Sequence, residues 1–253
     1  MILHSQIMGE GEPLVILHGF LGMGDNWKTL GNRFAADGYQ VHLVDQRNHG
    51  RSFHSPEFNY GVMATDLLTY LDHYGLGRIM LLGHSMGGKT AMEFAVQHPE
   101  RVEKLIVADI APKEYPSHHQ DILKALSSLD FDQIKSRGEA DKALAQYLKE
   151  PGVRQFLLKN LYWVEKGKLG LRINLPVLTQ YAGQVGEALD QNSMYTGPTL
   201  FLRGGRSSYI LEIDEMGIGH HFADYELDTI NDAGHWLHAE KPDEFYRIVT
   251  KFL

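Results

Sequence analysis

Gly83-His84-Ser85-Met86-Gly87 follows the apolar run Arg78-Ile79-Met80-Leu81-Leu82 and precedes a helical pattern from Lys89 to His98. Strand, sharp turn and helix, with a serine at the apex, make a G-x-S-x-G nucleophile elbow. Its glycines allow a turn too tight for larger side chains and hold the hydroxyl above a sheet. Such a hydroxyl performs acyl transfer if three further parts are present: a base for its proton, a group that orients the base, and N–H donors for the oxyanion. The His18-Gly19-Phe20 turn follows the strand signal Leu14–Leu17 and would aim the Phe20 backbone N–H at the same point as the N–H of Met86. In Asn231-Asp232-Ala233-Gly234-His235-Trp236, between the last strand signal and the last helix, His235 would reach the carboxyl edge of the sheet and serve as the base.

The orienting acid is the discriminating part. In most enzymes built on an elbow of this kind it follows the strand equivalent to Thr199–Leu202, but that loop here reads Arg203-Gly204-Gly205-Arg206-Ser207-Ser208-Tyr209 and has no carboxylate. The run Lys104–Ala108 ends in Asp109, which would reach His235 from the strand after the elbow helix, in the chain order Ser85, Asp109, His235. The alternative for Asp109, less favoured because no acid stands in the usual loop, is a strand-end carboxylate that caps a loop. The substitutes are Asp232, which lies in turn chemistry, and Asp214, which reads as the start or cap of a surface helix.

Other histidines have simpler readings. His84 leaves the turn in a different direction from Ser85 and is expected to be packed or hydrogen-bonded rather than a base. The pairs His118-His119 and His220-His221 would point their rings apart, and His235-x-x-His238 lacks further ligands, so no metal is expected.

The elements that must position these residues alternate through the first half of the chain. Leu14–Leu17, Val41–Val44, Ile79–Leu82 and Leu105–Val107 are short apolar runs of the kind buried in a parallel sheet, and Trp27–Ala36, Val62–His73 and Thr90–His98 have helical spacing. This rhythm predicts an α/β fold, a mostly parallel sheet with helices on both faces. From about Pro112 to Tyr195 the pattern is mostly helical (Ile122–Leu129, Ala140–Leu148, Val153–Leu161, Val177–Leu189), with a hairpin around Glu165–Lys168. Strand signals return at Thr199–Leu202 and Tyr225–Ile230, and a last helix runs from about Pro242. Residues 1–111 and 196–253 are therefore expected to form a core, with residues 112–195 inserted as a helical cap. Within that cap and around the base, Tyr115, Phe156, Trp163, Tyr181, Trp236 and Arg206 are the expected pocket residues.

Length and composition set outer limits. The 253 residues, 43% of them apolar, suffice for one large core with an insertion, and a net charge of -8 with scattered Lys and Arg argues against a nucleic-acid partner. The chain has no cysteine, which excludes disulfides, thiolate metal sites and thiol nucleophiles. Neither a signal-like N-terminus nor an apolar run of membrane-spanning length is present, so a soluble cytoplasmic protein is expected. Oligomeric state is not readable.

Taken with Asp45-Gln46-Arg47-Asn48-His49-Gly50-Arg51-Ser52, in which Asn48 stands where glycine is usual, and with Ala108-Asp109-Ile110-Ala111-Pro112, these motifs resemble the α/β-hydrolase superfamily. Within it, the chain is similar over nearly its whole length to the small bacterial YbfF-type esterases and their mitochondrial relatives. That resemblance implies a helical cap, hydrolysis of carboxylic esters or thioesters without a metal or organic cofactor, and an acid from the strand after the elbow.

Three rivals use the same residues. Gly83-x-x-x-x-Gly88-Lys89-Thr90 also satisfies a phosphate-loop pattern, but a nucleotide reading leaves His18-Gly19-Phe20 and His235 idle, and under the hydrolase reading Lys89 becomes a surface or salt-bridging helix residue. C–C bond hydrolysis or a cofactor-free lyase reaction would keep the fold and draw on Arg206. A ligand-sensing receptor would keep the triad but turn over about once.

Overall fold

The structure, a computed structural model, describes residues 1–117 and 119–253; His118 lies outside the described residues. The chain begins with β1 (Ser5–Met8), β2 (Glu12–Leu17), α1 (Lys28–Ala36), β3 (Tyr39–Val44), α2 (Tyr60–His73), β4 (Ile79–His84), α3 (Met86–Gln97) and β5 (Val102–Ala108). It then leaves the sheet for α4 (Gln120–Ser127), α5 (Arg137–Leu144), α6 (Pro151–Leu158), the hairpin β6 (Leu161–Glu165) and β7 (Lys168–Leu171), and α7 (Leu175–Gln180). It returns through β8 (Thr199–Gly204), α8 (Glu215–His221), β9 (Tyr225–Ile230), α9 (Leu237–Glu240) and α10 (Pro242–Phe252).

Seven strands pair in the order β1-β3-β2-β4-β5-β8-β9, with β1 antiparallel and every other pair parallel. The buried strands carry near-continuous apolar runs because both faces are covered. Along β4, Ile79 and Leu81 join one core with Leu67 and Leu71 of α2 and Phe94 of α3. Met80 and Leu82 point the other way, to Phe34 of α1 and Phe245 and Val249 of α10. A third cluster links Leu126, Leu144, Leu157 and Leu178 of the helices after β5 to Phe20 and Met86 beside the elbow. Among the described residues, no helix is long and apolar enough to cross a membrane.

Register places the site. Leu17 pairs with Gly83, His84 with Ala108, Ala108 with Leu202 and Gly204 with Ile230, so five strands end on one carboxyl edge. The loops bearing Phe20, Ser85, Asp109, Ser207 and His235 all leave from it.

Several elements differ from the sequence expectation for local reasons. β1 is a four-residue edge strand with half-exposed side chains, too short and too mixed to carry a periodic signal. The elbow helix starts at Met86, because Gly87 and Gly88, poor helix formers, hide its first turn from pattern reading. The helix expected over Val177–Leu189 is instead α7 followed by a 3₁₀ turn at Ala182–Gly186, where Gly183 and Gly186 weaken a regular helix.

Candidate active site

Ser85 sits between β4 and α3 at φ 53°, ψ -119°, a left-handed conformation that a serine adopts only when its surroundings enforce it. The enforcement comes from close backbone contact. A Cβ on Gly83 would lie 2.2 Å from the Gly87 carbonyl oxygen, and one on Gly87 2.3 Å from that of Leu17. Only glycines let the elbow fold back on itself and press against the end of β2. Met86 is the first residue of α3, so its N–H has no intrahelical acceptor. The Phe20 loop closes over the same spot, and a Cβ on Gly19 would stand 3.4 Å from the Ser85 Cβ.

His235 Nε2 lies 3.0 Å from Ser85 Oγ and its Nδ1 2.8 Å from Asp109 Oδ2. A carboxylate opposite Nδ1 requires the proton there, which leaves the Nε2 lone pair to accept from the serine hydroxyl. Asp109 is fully buried at φ 52°. Its Oδ1 accepts from the Gly204 N–H at 2.9 Å, and its Oδ2 also accepts from the Ser207 hydroxyl. A buried carboxylate is tolerable only when its lone pairs are filled in this way. The loop that lacks an acid thus supplies donors to an acid from the neighbouring strand.

His235 is held on several sides. His84 is buried and donates from Nε2 to the His235 carbonyl at 2.8 Å, and burial pushes its pKa well below 6.5, so it holds the base loop as a neutral ring. Tyr209 lies flat on the His235 imidazole, centres 3.8 Å apart and planes 14° apart. Two more neutral histidines support the Phe20 loop. His18 accepts at Nε2 from the Gln46 N–H and donates from Nδ1 to the Gly19 carbonyl, and burial lowers its pKa to about 4. His49 accepts at Nε2 from the Leu21 N–H, its pKa lowered by burial to about 3.

Ser85 opens into a cavity of about 550 Å³. Its wall includes Phe20, Trp27, Ile122, Val153, Phe156 and Trp236, with Lys159 and Glu240 as its charged side chains. Phe156 and Trp236 therefore lie where the sequence reading expected them, their rings 5.9 Å apart. The other four expected pocket residues do not line this cavity. Trp163 is 56% exposed on β6. Tyr181 packs into the helix core after β5. Arg206 is an exposed residue paired with Glu240 at 3.0 Å, so the one cation that suggested C–C chemistry is already engaged. Tyr115 borders a separate recess of about 20 Å³ behind Ser85, where its hydroxyl bonds the Tyr209 carbonyl.

Residue type alone did not single out Ser207 or Tyr209; the hydroxyls in the acid-free loop were the available signal. Lys89, expected as a surface or salt-bridging helix residue, is buried with its ammonium on two backbone carbonyls, because α3 lies beneath the chain connections to either side of α4–α7. Asp214 accepts from Lys113 at 2.6 Å, and Asp232 occupies a turn at φ 55°.

Fold and site together define a class: residues 12–242 match the family described as the alpha/beta hydrolase fold, and the chain belongs to it. Among its relatives, "sn-1-specific diacylglycerol lipase ABHD11" of Mus musculus is 40% identical over 95% of this chain and 80% of its own length. "Esterase YbfF" of Escherichia coli is 36% identical over 98% of this chain and 96% of its own. A solved structure described as "Marine microorganism esterase" superposes with a TM-score of 0.97 at 41% identity, each chain covered in full.

Proposed function

We propose that this chain is a serine hydrolase that cleaves carboxylic esters or thioesters of short to medium acyl chains. The observation that carries the reading is the line from Ser85 Oγ through the His235 imidazole to Asp109, opening into a mostly apolar cavity. The relatives named for esterase and lipase activity support an ester bond as the target.

Ser85 Oγ attacks the acyl carbon while His235 Nε2 takes its proton, and Asp109 holds the tautomer and stabilises the imidazolium. The oxyanion accepts hydrogen bonds from the Phe20 and Met86 N–H groups. Collapse breaks the bond to the leaving oxygen or sulfur, which takes the proton from His235. Water then adds to the acyl-enzyme by the same route, returning Ser85 and releasing the acid. No step calls for a metal or organic cofactor. In this reading residues 112–195 form a cap over a core of residues 1–111 and 196–253, and the substrate is a small molecule met in the cytoplasm. An apolar wall favours uncharged acyl groups over polyanionic ones.

Rapid quenching after mixing with p-nitrophenyl butyrate tests the reading. A butyryl adduct on Ser85, followed by many turnovers, is the expected result. Hydrolysis by Ser85→Ala at the wild-type rate would overturn it, and a single turnover would favour a receptor.

A further inference from the structure

Lys89 completes the phosphate-loop spacing that the hydrolase reading leaves without a role. Its N–H donates to the Ser85 carbonyl at 3.0 Å, one helical turn away, and its side chain is buried. An ammonium is costly to bury unless its donors are used. Here Nζ donates to the Lys113 carbonyl and, at 2.7 Å, to the Glu187 carbonyl, and it lies 5.2 Å from the centre of the Tyr115 ring. Engaged in this way, it is not presented to a phosphate.

Lys113 lies on the connection from β5 to α4, and Glu187 on the connection from α7 to β8. The two connections are cross-bonded as well, from Leu189 N–H to the Pro112 carbonyl at 2.9 Å and from Tyr115 N–H to the Gly186 carbonyl at 2.8 Å. Tyr115 then reaches the site: its hydroxyl accepts from the Ala111 N–H at 2.8 Å and donates to the Tyr209 carbonyl at 2.6 Å. Tyr209 is the ring stacked on His235.

We propose that Lys89 is a positioning residue: by tying both connections to the nucleophile helix it fixes Tyr115, and through Tyr115 the Tyr209 ring that holds the face of the His235 imidazole. The inference rests on the hydrolase reading of Ser85 and His235. The groups around the ammonium are Lys113, Glu114, Glu187 and the Tyr115 ring, with Lys113 itself paired to Asp214. Burial, then Lys113, lower the Lys89 pKa to about 7. A neutral amine keeps two N–H donors, enough for both carbonyls, so the tie persists through titration.

The test is a double-mutant cycle on p-nitrophenyl acetate, with rates normalised by active-site titration so that only folded, reactive enzyme is counted. Tyr115→Phe removes the link to Tyr209, and Lys89→Met removes the tie at similar length. Each is expected to lower kcat by about fivefold or more with KM within about twofold, and the double variant to lose little beyond the worse single one. A wild-type kcat in either variant, a loss confined to KM, or losses that multiply in the double variant would overturn the proposal. Should Lys89→Met fail to fold, Lys89→Gln takes its place in the cycle and is judged by the same criterion. Fluorophosphonate labelling of wild-type Ser85 separates the two levels. Without labelling, the hydrolase reading falls and takes this inference with it; with labelling and unchanged kcat, only the role of Lys89 falls.

Discussion

Asp109 and His235 meet at 2.8 Å although they come from β5 and from the loop after β9, with β8 between those strands in the sheet. The contact is possible because the β8 loop carries no acid and turns its Gly204 N–H and Ser207 hydroxyl onto the Asp109 carboxylate. Removing the charge while keeping the shape tests the pair. Asp109→Asn is expected to fold and to lose on the order of 10²- to 10⁴-fold in kcat, through the wrong imidazole tautomer. Asp214→Asn and Asp232→Asn, whose carboxylates lie away from the base, are expected to stay within about tenfold of wild type. Steady-state kinetics on one aryl ester compares all three, and an active Asp109→Asn variant would move the acid elsewhere.

Ser207 tests how the buried carboxylate is kept. Its hydroxyl is one of three donors to Asp109, and a hydrogen bond to a charged group is worth about 1.5–3 kcal/mol. Ser207→Ala is therefore expected to lower kcat by about tenfold with KM little changed, since Asp109 loses a donor but keeps its place. Wild-type kcat in this variant would show that the Gly204 N–H and His235 suffice.

Acid should destabilise the fold early. His18, His49 and His238 are held neutral by burial, their pKa values lowered from 6.5 to about 4, 3 and 3. Below pH 6.5 the unfolded chain takes up protons that the folded chain refuses. Their contribution to stability is thus fully present above pH 6.5 and lost progressively as pH falls toward 4 and 3. Urea midpoints are expected to be lower at pH 5 than at pH 7.5, and His238→Gln should shrink the difference; equal midpoints would contradict the burial argument. Lys89 acts with the same sign in a higher window: its lowered pKa makes stability rise with pH between about 7 and 10.5, a rise that Lys89→Met should remove.

The cavity wall can be probed at Phe156, on α6. Phe156→Ala is expected to raise KM by about threefold or more for an ester with a bulky leaving group and to leave p-nitrophenyl acetate within about twofold. Equal effects on both substrates would show that the ring acts on the machinery rather than on binding.

The parts of this molecule that could be read in the sequence are those where a backbone demand restricts residue type. A Cβ on Gly83 or Gly87 would lie only 2.2 or 2.3 Å from a carbonyl oxygen, so both positions demand glycine, and the pair marks the elbow in the sequence. Asp109 could be singled out because the Arg203–Tyr209 loop excludes the commoner placement of the acid. Facing is harder, since Phe156 of α6 and Trp163 of β6 are both large aromatics in the segment after β5, and only tertiary placement puts one on the cavity wall and the other in solvent. The burial of Lys89 is hidden from the sequence for the same reason: a lysine reads as surface until the chain that covers it is known.

Every proposed step depends on Ser85 as the nucleophile. A fluorophosphonate is expected to modify Ser85, as mapped by peptide mass, and Ser85→Ala is expected to abolish labelling and lower kcat on a short-chain aryl ester by about 10⁴-fold or more. Labelling at another serine, or substantial activity left in Ser85→Ala, would contradict it.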